Sequence, residues 1–282
     1  MRWRGERESD NVEDRRGMSG GGKVAVGGGI GAVILLVIGL LTGKDLSGLL
    51  SSVQQTQTTQ SADGPRTARA DDSTAQFVRV VLASTEDVWS KIYRDNGQQY
   101  PEPHLVMFDD AVQSACGNAS AAMGPFYCPG DNKVYIDLSF CNELRERFRA
   151  PGNFAVAYVV AHEVGHHIQN LMGLSDRMQR MRSRLSEADY NKLSVKLELQ
   201  ADFLAGVWAY HANKMRNVLE PGDLESALTA ANAIGDDKLQ KEAQGYVIPD
   251  AFTHGTSQQR MYWFKKGFET GDLSQGQYDD IK

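Results

Sequence analysis

Residues 24–43, V-A-V-G-G-G-I-G-A-V-I-L-L-V-I-G-L-L-T-G, form an uncharged run of 20, and no other feature so limits how the chain can be arranged. As a helix rising about 1.5 Å per residue, the run spans the roughly 30 Å hydrocarbon core of a bilayer once. Its Gly27-Gly28-Gly29 triplet weakens a helix in water but is tolerated in lipid, where the backbone must satisfy its own hydrogen bonds. Arg2, Arg4, Arg7, Arg15, Arg16 and Lys23 precede the run and Lys44 follows it. That bias predicts a cytoplasmic N-terminal segment (1–23), a single transmembrane helix in the inner (plasma) membrane, and everything beyond it on the periplasmic or extracellular side. The run exceeds a secretory h-region and no A-x-A-like site follows closely, which favours an uncleaved anchor. Residues 44–70, Gln/Thr-rich from 51 on, read as a flexible linker. The folded domain is then 71–282, without internal repeats.

Composition narrows the function. Lys and Arg number 30 against 36 Asp and Glu, a formal charge of −6, so no basic excess exists to neutralise a phosphate backbone, and nucleic acid is excluded as the expected partner. Three cysteines, Cys116, Cys128 and Cys141, are too few for a disulfide scaffold and lack C-x-x-C spacing. One disulfide with one thiol left over stays open. Cys116 and Cys128 bracket a short loop whose closure suits an oxidising compartment.

The domain reads as α+β, a small antiparallel sheet followed by a mainly helical C-terminal part. Phe77, Val81, Val88 and Ile92 give 77–96 a helical period that would pack on the sheet. Short strands are expected at 104–108, 126–128 and 133–138, the last two joined as a hairpin by Pro129-Gly130-Asp131-Asn132. Helices follow at 154–172, 175–184, 194–214, 223–241 and 257–270.

His162-Glu163-Val164-Gly165-His166 is an H-E-x-x-H inside the first of these late helices. Four residues on a helix advance about 400°, so both imidazoles lie on one face and reach one ion. Glu163 projects beside that ion, placed to accept a proton from a metal-activated water and pass it to a leaving amine. Three fixed residues also occur by chance. Here the apolar run before them, Phe154, Val156, Val159 and Val160, makes unpaired polar groups costly, and Gly165 gives up about 1 kcal/mol of helix propensity, as a close approach of another backbone or of a substrate would require. On the next long helix Glu198 and Asp202 form an i,i+4 acidic pair among Val195, Leu199, Phe203 and Val207, which repels unless a cation is near. Glu198 is the candidate third ligand, and Asp202 the acceptor that fixes the tautomer of a ligating histidine. The bland alternative is a solvated acidic face.

H-E-V-G-H-H with E-L-Q-A-D downstream, together with G-P-F-Y-C-P-G-D-N-K-V-Y-I-D (124–137) and T-H-G-T-S-Q-Q-R (253–260), resembles the bacterial membrane-anchored neutral zinc metallopeptidases of the Glu-zincin type. The resemblance spans the anchor and the whole domain. It implies a zincin-like fold and Zn²⁺ held by His162, His166 and Glu198, with Glu163 as catalytic base and Asp202 behind the ligands. His254, before the last helix, is the candidate donor to the charge that develops on a tetrahedral intermediate, with Tyr262 and Arg260 next in line. His167 points about 100° away from His166 and is read as structural. The strand 133–138 is the candidate edge for an extended substrate. The function expected is zinc-dependent peptide-bond hydrolysis by a metal-activated water with Glu163 as general base; the alternative is a non-catalytic zinc-containing envelope scaffold or binding protein.

Overall fold

The computed structural model describes residues 1–17, 73–150 and 152–281. The apolar run 24–43 and the linker 44–70 lie outside the described residues. Among the described residues no helix is long and apolar enough to cross a membrane.

Two sheets and eight α-helices are present among the described residues. The strands are β1 (Val12–Asp14), β2 (His104–Phe108), β3 (Ala111–Ser114), β4 (Gly117–Ser120), β5 (Phe126–Cys128) and β6 (Lys133–Asp137). The helices are α1 (Ser73–Asp95), α2 (Ser139–Glu146), α3 (Asn153–Leu171), α4 (Leu174–Arg182), α5 (Glu187–Arg216), α6 (Asp223–Ala233), α7 (Asp236–Gln244) and α8 (Ser257–Thr270).

The main sheet has the order β1-β2-β6-β5. It is mixed rather than antiparallel: β1 and β6 both run parallel to β2, and only β5 opposes β6. Connections reading as a local hairpin identify the β5–β6 pair, while the parallel pairs join residues far apart in sequence and carry no turn signal. β3 and β4 form a separate antiparallel hairpin. A disulfide joins Cys116, in its turn, to Cys128 at the end of β5, and Cys141 is buried elsewhere.

The central element is α3. From Phe154 to Ala161 each of its residues is buried, as a helix apolar on all sides must be. It packs against α1, α5 and α6, with Phe154 stacked on Trp208 at 5.9 Å between centroids. The helix expected on the sheet, α1, packs mainly on α3 and α5 instead. The stretch expected as one helix over 223–241 is broken into α6 and α7 at Gly235. A Cβ there would lie 2.4 Å from the Ser257 nitrogen, so the chain bends where the α8 start passes.

The N-terminal segment belongs to the domain rather than standing apart from it. Val12 and its neighbours supply the edge strand β1, Trp3 packs edge-on against Phe77 at 5.5 Å, and Ser9 is buried against Glu86.

Candidate metal centre

The H-E-x-x-H helix meets α5 through Gly165. A Cβ at this position would lie 3.0 Å from the Ala201 carbonyl oxygen, so glycine lets the two backbones approach closely. The approach brings His162, His166 and Glu198 together, with one ligand atom from each within 4.8 Å of the others. His162 Nε2 is 3.1 Å from Glu198 Oε2, and His166 Nε2 is 3.5 Å from Glu198 Oε1.

The far side of each ring is fixed by an acceptor. His162 Nδ1 lies 2.8 Å from Asp202 Oδ1, and a carboxylate can only accept, so Nδ1–H donates and Nε2 faces Glu198. His166 Nδ1 lies 2.8 Å from Gln169 Oε1. The Gln169 amide nitrogen donates to the Leu197 carbonyl and to Gln200 Oε1, which leaves its oxygen for His166. Both Nε2 atoms are therefore turned toward Glu198, as two imidazole ligands of one ion must be. The donor set of two nitrogens and a carboxylate suits zinc with one coordination position left open.

Asp202 is fully buried and has four donors. Besides His162 it accepts from Tyr158 Oη at 2.5 Å and from Arg260 Nε at 2.9 Å and Nη2 at 3.1 Å. Burial alone would raise its pKa, but the charges of Arg260 and His162 outweigh that and hold it below the ordinary carboxylate value. Burial likewise works against protonation of His162, yet the Asp202 and Glu198 carboxylates push its pKa up to about 10. The pocket thus favours a cation. Glu163 lines the same cleft, and its burial raises its carboxyl pKa.

His167 is not in the cluster. Its Nε2 donates to the Pro101 carbonyl at 2.6 Å and its Nδ1 faces Tyr127 Oη at 3.0 Å, so both ring nitrogens are engaged. Burial lowers its pKa, consistent with a neutral ring.

The centre opens into a cleft of about 1660 Å³ that is also lined by Phe126, Tyr127 and His254. His254 is half-exposed at 50 % and is held by Asp236, whose Oδ2 accepts the backbone N–H groups of Thr253, His254 and Gly255. Its Nδ1 lies 3.2 Å from Asp236 Oδ1. Of the two residues ranked behind it, Arg260 lines the cleft but its guanidinium is bound by Asp202, and Tyr262 is 57 % exposed on α8, away from the residues lining the cleft.

The edge strand also differs from expectation. β6 has β2 on one side and β5 on the other, so its main chain is occupied and the free edge beside the cleft is β5. Tyr127 on β5 ties this edge to the motif helix through His167 and Asn170.

Sequence reasoning passed over Gln169, Tyr158 and Asp236. Gln169, three residues after His166 on the same helix face, carried a usable signal. Tyr158 and Asp236 did not, since their partners lie 44 and 18 residues away.

A candidate metal-binding cluster of two histidines and one glutamate thus sits on two packed helices of an α+β scaffold. The profile of the family described as "Putative neutral zinc metallopeptidase" matches residues 1–278, and the chain belongs to that family. It is 48% identical over 285 residues to the uncharacterized protein YpfJ of Escherichia coli strain K12, covering 98% of this chain and 97% of that one. It is 37% identical over 247 residues to the uncharacterized protein Rv2575 of Mycobacterium tuberculosis strain H37Rv, covering 83% and 82%. No solved structure matches the chain.

Proposed function

We propose that the protein is a zinc-dependent peptidase that cleaves peptide bonds with Glu163 as general base. The observation that carries this reading is the convergence of His162, His166 and Glu198 in a cleft that Glu163 also lines. Zinc held by these three side chains would polarise the scissile carbonyl and lower the pKa of a water beside it. Glu163 takes the proton from the attacking water and delivers it to the leaving nitrogen, a role that its raised pKa suits. His254, oriented by Asp236, donates a hydrogen bond to the oxyanion of the tetrahedral intermediate. The substrate is an extended peptide or protein segment that pairs with the β5 edge. A non-catalytic scaffold would close the centre with a fourth protein ligand, and the cluster found among the described residues has three.

The test is zinc content and cleavage of a broad peptide library by the purified chain and by Glu163→Gln. Expected are about one zinc per chain in both proteins and a loss of cleavage on the order of 10²–10⁴-fold in the variant. A wild-type chain that holds zinc and cleaves no peptide would overturn the reading.

A further inference from the structure

The N-terminal segment is built into the domain by contacts that neither part can make alone. β1 pairs in parallel with β2, Val12 beside Leu105 and Asp14 beside Met107, and the pairing is extended by Leu105 N to Asn11 O and Arg15 N to Met107 O, both 2.8 Å. Lys133 on β6 reaches across β2 to Glu13. Trp3 is 9 % exposed within the core that also contains Phe77.

Glu86 on α1 makes the dependence electrostatic. It is 2 % exposed, and its carboxylate is satisfied by Arg7 at 2.8 Å, by the Asn11 amide at 3.0 Å and by the Ser9 hydroxyl. Removing residues 7–14 would leave a buried carboxylate without these donors and β2 with an unpaired edge, both unfavourable. Docking of the segment is therefore part of the fold.

A chain that crosses a bilayer once separates its two flanks by about 30 Å of hydrocarbon. Flanks so separated cannot share a sheet. The chain between Gly17 and Ser73 must cross an even number of times. Only 24–43 in that interval is an uncharged run of spanning length, since Lys44 and Asp45 follow it and 51–70 is polar. No second crossing is available to pair with it.

We propose that the N-terminal segment (1–17) and the domain occupy the same side of any membrane the chain meets. This replaces the opposite-side placement read from the Lys/Arg bias. That bias concerns the run's flanks alone, whereas the packing of 1–17 links one flank to the domain.

The test places single cysteines in the full chain, Asp10→Cys or Arg4→Cys in the segment and Glu187→Cys in the domain, all at exposed positions. A membrane-impermeant maleimide is applied to intact and to permeabilised bacteria expressing each variant, and the label is located by peptide mass to distinguish it from the native cysteines. Expected is the same behaviour at all three positions: labelling in intact cells if the shared side is the outer one, or only after permeabilisation if it is the inner one. Labelling of the segment and the domain under opposite conditions would overturn the proposal.

Discussion

Asp202 is the residue on which the centre's orientation depends, because it holds His162 while being held by Arg260 and Tyr158. Asp202→Asn keeps the shape but removes the charge that draws the Nδ1 proton, so zinc affinity should fall by about 10–100-fold, read by chelator competition. Arg260 cannot be removed as gently, since its loss would leave the buried Asp202 carboxylate without its guanidinium partner, a change costing about 3 kcal/mol. The protonation of His162 gives a second prediction. Without metal its raised pKa keeps a proton on the ring, and zinc must displace it. Affinity should therefore rise with pH between 6 and 8, by about tenfold per unit for each proton released, as calorimetry in buffers of different ionisation enthalpy would record. An affinity flat over this range would mean that the ring is already neutral.

At the scale of elements, the α5–α8 crossing decides whether Arg260 reaches Asp202. Gly206 and Gly267 face each other across it: a Cβ on Gly206 would lie 2.1 Å from the Phe264 oxygen, and one on Gly267 would lie 2.1 Å from the Phe203 oxygen. Both obstacles are backbone, which cannot rotate away. Gly206→Ala should thus destabilise by about 3 kcal/mol or more despite a gain of about 1 kcal/mol in helix propensity, measured as a lowered urea midpoint. Gly165→Ala meets Ala201 at 3.0 Å and should cost less in stability than Gly206→Ala. Helix α3 was legible because its signals are local: the apolar run, the i,i+4 histidines and the stop after Leu171. The division of 223–241 was not, because the cause at Gly235 is the passage of Ser257, a contact absent from any window of neighbouring residues.

For the whole molecule, the packed N-terminus predicts that deletion of residues 1–17 unfolds or aggregates the domain. Glu86 would lose Arg7, Ser9 and Asn11, and β2 would become an open edge. Thermal unfolding and light scattering of the truncated chain against the full one would measure this, and a truncated chain of unchanged stability would show the docking to be incidental.

The sequence alone determined the metal-ligand candidates His162, His166 and Glu198, and the position of Glu163 beside them, since helical periodicity fixes which side chains share a face over one turn. It also predicted the strands at 104–108 and 126–128 and the last helix at 257–270, whose signals lie in adjacent residues. Tertiary structure decided that β5 rather than β6 is the open edge, that Arg260 at the cleft wall neutralises Asp202, and that the first 17 residues complete the sheet. Each of these depends on which distant segments meet, and a contact between segments is set by the packing of the whole chain rather than by the residues on either side of it.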